Sequence, residues 1–359
     1  MMTKKLKVGV LGGTGMVGQR FVSLLENHPW FEVTCVAASP SSAGKSYEAA
    51  VAGRWQIKIP IPQAVAKLTV KSVVDDMDQI AREVDLVFSA VDMDKQEVRK
   101  LEEQYASKDV PVVSNNSAHR WTDDVPMIIP EVNPEHAELI AVQRKNRGWK
   151  RGLIAVKPNC SIQSYVPILK ALEGFCPKRA VVTTCQAISG AGKTFETWPE
   201  MIDNVIPFIK GEEEKSEKEP LRVMGTLRDG KIQPSQMVIT ATCIRVPVSD
   251  GHMASVSMEL EKQATPEQII QAIENFKNPL AGLDLPSAPK QFMKYYSEPD
   301  RPQTGKDRDF EKGMGITVGR LRKETILGWS FVALSHNTIR GAAGGAILVA
   351  ELLKARNYF

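Results

Sequence analysis

One spacing near the start limits this chain more than any other. Gly13, Gly15 and Gly18 form G-x-G-x-x-G directly after a short β-rich run, Lys7 to Leu11, and directly before a segment of helical periodicity, Met16 to Asn27. A strand that turns through such glycines into a helix opens a βαβ unit. Gly13 is expected to allow the tight turn, Gly15 to let the backbone approach a pyrophosphate, and Gly18 to let helix and strand pack closely. Phosphates then sit at a helix N-terminus, where unpaired N–H groups and the helix dipole favour anions.

The first half continues the alternation. Phe31 to Ala38 and Val84 to Val91 are β-like, a charged helix is expected around Asp94 to Lys108, and Val110 to Asn116 is β-like again. Strands alternating with helices imply a parallel sheet. The second half differs: Ala180 to Ser189, Val238 to Val248, His252 to Leu260, Gly315 to Leu321 and Ile326 to Leu334 are β-rich, with few helices between them, such as Pro266 to Lys277. That predicts an α+β unit on a largely antiparallel or mixed sheet, followed by a last apolar helix, Ile339 to Ala355, rich in small residues. The fold class is therefore α/β, a Rossmann-type domain joined to an α+β domain. The charged run Gly211 to Glu219 reads as a solvated loop or helix.

Composition narrows the classes. A chain of 359 residues suggests about two domains. A formal charge of +4 is small for nucleic-acid binding and suits anionic small molecules. No stretch approaches the ~18 apolar residues of a membrane helix. The opening MMTKKLKVGVLGGTG breaks at glycines where a secretory leader would continue. The five cysteines, Cys35, Cys160, Cys176, Cys185 and Cys243, show neither zinc spacing nor a disulfide framework. A reducing, cytoplasmic location follows as an expectation, with no metal, nucleic-acid or membrane partner.

The strand after the glycine turn selects the nucleotide. Dinucleotide folds that bind NAD place an acid near its end to hold the ribose 2′-hydroxyl. Here the chain reads Ala38-Ser39-Pro40-Ser41-Ser42-Ala43-Gly44-Lys45, with no carboxylate. Ser39, Ser41, Ser42 and Lys45 are donors suited to a 2′-phosphate, which predicts NADP.

Cys160 lies between a β-like run, Leu153 to Val156, and a helix expected from Ser161. At a helix N-terminus a thiol is biased toward thiolate, with a lowered pKa. Most cysteines are small buried hydrophobes, and Cys35 and Cys243, inside apolar runs, fit that description. On position alone, Cys160 is as consistent with the one role as with the other.

The motifs GGTGMVG, SNNSAHR, PNCSIQ, CQAISGAG, GEEEK, IRVPVSDGH and HNTIRGAAGG, in this order along essentially the whole chain, resemble the aspartate-β-semialdehyde dehydrogenase family, in particular its archaeal and fungal branch. The resemblance implies a glyceraldehyde-3-phosphate-dehydrogenase-like architecture. Residues 1–158 and 336–359 would form the NADP-binding domain, and 159–335 the catalytic and oligomerisation domain, in a homodimer or homotetramer. It implies reductive dephosphorylation of L-aspartyl 4-phosphate to L-aspartate 4-semialdehyde by NADPH, with release of phosphate, in biosynthesis of lysine, threonine, methionine and isoleucine.

By the same resemblance Cys160 is the nucleophile, His252 the acid/base and Gln186 the active-site glutamine. Arg245 would hold the substrate carboxylate, Glu212 the ammonium, and Arg120 with Lys215 the phosphate, with Asn159 beside the cysteine. The cofactor set is Gly13, Thr14, Gly15, Met16, Val17, Ser39, Ser41, Ser42, Lys45, Ser89, Gly190 and Asn337.

The substrate's chemistry fits this set. Arginine offers a planar fork for carboxylate and phosphate, an acid suits the ammonium, and backbone N–H groups near Cys160 suit an oxyanion. His252 is expected to titrate near neutrality. Of the other histidines, His28 is expected to end a helix, His119 to line the pocket, His136 to lie on a surface helix and His336 to be structural. N-acetyl-glutamyl-phosphate reductase and malonyl-CoA reductase share the scaffold. The first substrate has no ammonium for Glu212 and the second needs no phosphate site. A non-catalytic NADP-binding regulator would be expected to lack Cys160 or His252.

Overall fold

Residues 4–359 are described by a computed structural model; Met1 to Thr3, where the run read against a leader begins, lie outside the described residues. Six strands, β1 (Leu6–Leu11), β2 (Phe31–Ala38), β3 (Lys71–Ser72), β4 (Leu86–Ser89), β5 (Val112–Ser114) and β6 (Ile154–Val156), form one sheet in the order β3-β2-β1-β4-β5-β6. All its pairings are parallel. Its central strands β4, β5 and β6 and most of β1 are buried on both faces, as a sheet covered on both sides requires. The order reverses direction between β1 and β4, and at that switch point the crevice beyond the strand ends is the natural ligand site.

The glycine turn differs in detail from expectation. The left-handed residue is Gly12, at φ 80°, not Gly13. A Cβ on Gly12 would lie 2.3 Å from the Ala90 carbonyl oxygen. Gly13 is required instead by packing, since its Cβ would lie 2.3 Å from Val36 Cγ1 on β2. Gly18 does pack as expected: its Cβ would lie 2.2 Å from the Gly12 carbonyl oxygen. The helix that follows, Met16–Leu24, is shorter than its sequence periodicity suggests.

The second sheet contains β7 (Pro177–Gln186), β10 (Val238–Arg245), β11 (His252–Leu260), β12 (Met293–Tyr296), β13 (Ile316–Glu324) and β14 (Gly328–Ser335); β8 (Thr226–Arg228) and β9 (Lys231–Gln233) form a separate hairpin. The order is β10-β7-β11-β14-β13-β12, with β10–β7 and β12–β13 parallel and the rest antiparallel. The sheet is thus mixed. Its register brings four residues to one edge: Arg245 pairs with Gln186, and His252 with Ser335.

Two further elements complete the frame. The acidic run is a helix, Glu212–Val223, whose three leading glutamates suit the positive end of the helix dipole. It is pinned along β10, where Glu213 and Glu217 accept from the backbone N–H groups of Cys243 (3.3 Å) and Ala241 (3.1 Å). The last helix is not continuous from Ile339. A single wide turn, Ile339–Ala343, breaks at Ala342 (φ −142°) before the helix Gly344–Ala355. That helix shares the core of the first sheet, packing with Val8, Val10, Phe21 and Val113. Among the described residues, no helix is long and apolar enough to cross a membrane.

Candidate active site

At the switch point lies a cavity of about 350 Å³, walled by Gly12, Thr14 and Gly15 on one side and by Val73, Val74 and Met93 on another. Gly15 is open: the nearest atom to a Cβ there would be the Gly12 carbonyl oxygen, 3.6 Å away. It stands at the N-terminus of its helix, with Met16 and Val17 in the first turn, half-buried. At the rim, the Ser39 and Ser41 hydroxyls are 3.0 Å apart and exposed, and Lys45 Nζ donates to the Ser41 carbonyl oxygen at 3.0 Å. The cavity therefore offers a backbone cradle for phosphates and a cationic, hydroxyl-rich end, with no acid from Ala37 to Lys45 where β2 runs out. Ser42 is buried in the turn. Ser89 is fully buried, its hydroxyl accepting from Asn116 Nδ2 at 3.1 Å behind the cavity wall.

Cys160 follows β6 by four residues and is partly buried. It precedes only a 3-10 turn, Ser161–Gln163, and the short helix Val166–Ala171. The thiol is not depressed as its sequence position suggested. Burial pushes it up, the Glu212 carboxylate adds to this, and Lys157, Arg120 and Arg245 only partly offset both.

Of three consecutive glutamates, Glu212 is the one turned inward. Its carboxylate accepts from Asn159 Nδ2 (2.9 Å), Gln186 Nε2 (3.2 Å) and Lys215 Nζ (2.9 Å). Burial pushes this carboxyl up, but Lys215 and the two amides outweigh burial and hold it below the usual carboxylate range. It is an anion set beside the cysteine loop.

Arg245 and His252 converge over Gly190. A Cβ on Gly190 would lie 2.9 Å from Arg245 Nη1 and 3.0 Å from His252 Nε2. Arg245 Nη1 donates to the Ala187 carbonyl oxygen at 2.6 Å. His252 Nδ1 accepts the Ala187 N–H at 3.1 Å, so in the neutral ring the proton resides on Nε2. Nε2 is buried with no partner. The expectation of titration near neutrality is corrected: burial, then the Arg245 cation, push His252 down to about 3. The ring is neutral at pH 7 and presents a donor to the site.

Arg120 also acts on Cys160. Its Nη1 donates to Glu219 Oε1 (2.8 Å), Nε to the Lys157 carbonyl oxygen (3.2 Å) and Nη2 to the Asn115 carbonyl oxygen (3.3 Å). Five N–H groups less these three leave two for an anion. Asn337 closes the floor, its Oδ1 accepting from the Gly251 N–H (2.8 Å) and its Nδ2 donating to Ser189 Oγ (2.9 Å).

Residues 7–140 match the semialdehyde dehydrogenase NAD binding domain, and residues 167–340 match the semialdehyde dehydrogenase dimerisation domain. A protein from Archaeoglobus fulgidus named aspartate-semialdehyde dehydrogenase is 44% identical over 97% of this chain and 98% of its own length. The chain belongs to the aspartate-semialdehyde dehydrogenase family. An Aspergillus fumigatus protein of the same name is 40% identical over 99% of this chain and 98% of its own. A crystal structure of the Candida albicans aspartate semialdehyde dehydrogenase with NADP superposes with a TM-score of 0.88, at 37% identity, covering 99% of this chain and all of that one.

The family resemblance did not supply every residue that shapes this site. Glu219 was missed, although it falls seven positions after Glu212 on the same helix and therefore shares its face. Ser216, between them, places its hydroxyl 3.0 Å from that of Ser161. Lys157, one residue beyond β6, is 2% exposed. The histidines outside the site are structural. His28 joins Glu351 at 2.8 Å, and His119 approaches Thr122 Oγ1 and the Arg99 carbonyl oxygen, each at 3.2 Å. His136, expected at the surface, is fully buried between Asn133 Nδ2 (2.8 Å) and the Gly225 carbonyl oxygen (3.0 Å). His336 is buried, its Nδ1 accepting the Thr338 N–H at 3.3 Å.

Proposed function

We propose that this chain reduces L-aspartyl 4-phosphate to L-aspartate 4-semialdehyde with NADPH, releasing phosphate, in biosynthesis of lysine, threonine, methionine and isoleucine. One observation carries the choice of substrate: the ionised Glu212, held by Asn159 and Gln186, and the Arg245 guanidinium share the rim around Cys160. That pairing suits an α-ammonium beside an α-carboxylate. An N-acetylated substrate has no ammonium to meet Glu212, and its acetyl group would add an uncharged amide beside a carboxylate already held by Lys215, Asn159 and Gln186. Arg120, through its two free N–H groups, and Lys215 take the phosphate.

The steps follow from these groups. The Cys160 thiolate forms a bond to the acyl carbon, and the carbonyl oxygen gains negative charge. His252 Nε2–H donates to that oxygen, as a neutral, desolvated donor suited to developing charge. The C–O bond to phosphate then breaks and phosphate leaves with the electron pair, giving a Cys160 thioester. NADPH, when bound with its phosphates on the Gly13 to Val17 turn and its 2′-phosphate near Ser39, Ser41 and Lys45, supplies a hydride. Collapse of the reduced adduct breaks the C–S bond, releases the aldehyde and restores the thiolate. Gly190 leaves space for this chemistry, and Ser89 and Asn337 support the cofactor side from behind.

Residues 1–158 with 336–359 act as the NADP-binding unit, and 159–335 as the catalytic unit. We infer a homodimer as the basic assembly, a homotetramer being two such pairs. Val181 and Val238, on one face of β7 and β10, and nearby Ile202, Val205 and Phe208 are exposed, which supports burial against a second copy. Free cysteines and the biosynthetic reaction support a cytoplasmic enzyme.

The test runs the reverse reaction. Aspartate semialdehyde, phosphate and NADP should give NADPH absorbance. Turnover with N-acetyl-glutamate semialdehyde and none with aspartate semialdehyde would overturn the assignment. Cys160→Ser should abolish most turnover while NADPH binding persists.

A further inference from the structure

The terminal GAAGG run has a use beyond helix packing. A Cβ on Gly341 would lie 2.7 Å from Cys160 Cβ, and one on Gly345 would lie 3.2 Å from Lys157 Cδ. The chain breaks from helical geometry at Ala342, between the two glycines, so each makes its own close approach: Gly341 to Cys160 and Gly345 to Lys157. Lys157 itself is fixed at both ends: its N–H donates to the Ser114 carbonyl oxygen at 3.0 Å, and its own carbonyl accepts from Arg120 Nε at 3.2 Å. Its ammonium, buried, donates to the Pro158 carbonyl oxygen.

The charges beneath the thiol are unequally paired. Arg120 is matched by Glu219 at 2.8 Å. Arg340 is matched by Glu131 through two hydrogen bonds, 2.6 and 2.5 Å. Among the described residues, Lys157 makes no ion pair with a carboxylate. A buried cation without an acid partner is costly unless another anion forms beside it.

We propose that Lys157 is the positioning cation that holds the Cys160 thiolate, the two side chains packing on the bare backbone at Gly345 and Gly341 respectively. The proposal rests on Cys160 acting as the nucleophile.

The electrostatics agree. Burial pushes the Lys157 ammonium down to about 7, Arg120 pushes the same way, and Cys160 and Glu219 act to raise it. On the thiol, Lys157 is the foremost of the cations that oppose burial and Glu212, ahead of Arg120 and Arg245. Arg245 faces the substrate carboxylate and His252 is neutral, so neither is free to serve the thiolate throughout turnover.

The test measures the thiol directly. The thiolate, and not the thiol, forms an S–C bond with iodoacetamide as iodide leaves, and Cys160 alkylation is followed by mass spectrometry of its peptide across a pH series. Lys157→Met and Lys157→Gln are read in whichever folds, judged by NADPH binding. Either should move the alkylation midpoint upward by about one pH unit and slow alkylation at pH 7 about tenfold. Lys157→Arg should keep the wild-type midpoint. A midpoint unmoved in the neutral variants, with turnover reduced equally in Lys157→Arg, would mark a merely structural lysine and overturn the proposal. Full turnover by Cys160→Ser would instead remove the nucleophile reading, which this alkylation profile does not measure.

Discussion

Glu219 Oε1 accepts a hydrogen bond from Arg120 Nη1 at 2.8 Å, an ion pair closed across 99 positions of sequence. Side-chain exposure is 7% for the arginine and 0% for the glutamate. The second carboxylate oxygen accepts the backbone N–H of Asn159 at 2.6 Å, one residue before Cys160. One carboxylate on the acidic helix thus fixes both the proposed phosphate cation and the loop that carries the nucleophile.

Removing that carboxylate should cost both stability and rate. Glu219→Ala leaves a buried guanidinium unpaired, which in comparable pairs costs about 3–5 kcal/mol. Glu219→Gln preserves shape and one acceptor, so its loss should be smaller. Urea denaturation of the two variants, with kcat/KM for aspartate semialdehyde and for phosphate, checks this. Wild-type stability in Glu219→Ala would show that Arg120 is not held by this pair.

The rim of the cofactor cavity gives a second prediction. Ser39→Asp places a carboxylate among Ser41 and Lys45, where a 2′-phosphate would meet it. NADPH binding should weaken by about tenfold or more, equivalent to about 1.4 kcal/mol, while NADH binding changes less. Titration of each nucleotide by fluorescence separates the two.

Acid stability follows from the buried neutral histidines. His252 sits at about 3 against an ordinary value of 6.5. His336 is pushed to about 4, chiefly by burial. Below 6.5 the unfolded chain takes up protons that the native state refuses. Stability is therefore complete above that pH and is lost as pH falls toward these folded values, by up to about 1.4 kcal/mol per pH unit for each histidine. His252→Gln should flatten that fall. Urea midpoints measured from neutral pH downward test it, and an equally steep fall in the variant would refute the assignment.

The same residues show what the sequence makes legible. The glycine spacing and the β/α alternation predicted the parallel sheet, because both reflect local geometry. Cys160, His252, Arg245 and Glu212 came from family motifs; strand register places Arg245 and His252 at one end of the second sheet, the loop after β6 brings in Cys160, and the helix along β10 brings in Glu212. The sign of the Cys160 shift was not legible, since it depends on burial and on Glu212, 52 positions away in this numbering. His136 read as surface because its helical neighbourhood is polar; its partner, the Gly225 carbonyl, lies 89 positions on. Lys157 and Glu219 are charged residues in ordinary-looking contexts, and only tertiary packing buries them.

Gly190 gives the sharpest steric test. It lies where β7 ends, in the turn Ile188–Ala191, and its φ is not in the left-handed region, so alanine is not strained there by backbone conformation. The added methyl would nevertheless fall 2.9 Å from Arg245 Nη1 and 3.0 Å from His252 Nε2. Contacts that short force the two side chains aside. Displacements of about 1 Å in positioned groups can cost about 10²-fold in rate. Gly190→Ala should therefore lose kcat/KM by roughly one to two orders of magnitude, with thermal stability and the Cys160 alkylation rate little changed. Wild-type turnover in this variant would mean that Arg245 and His252 do not act from the positions they hold over Gly190.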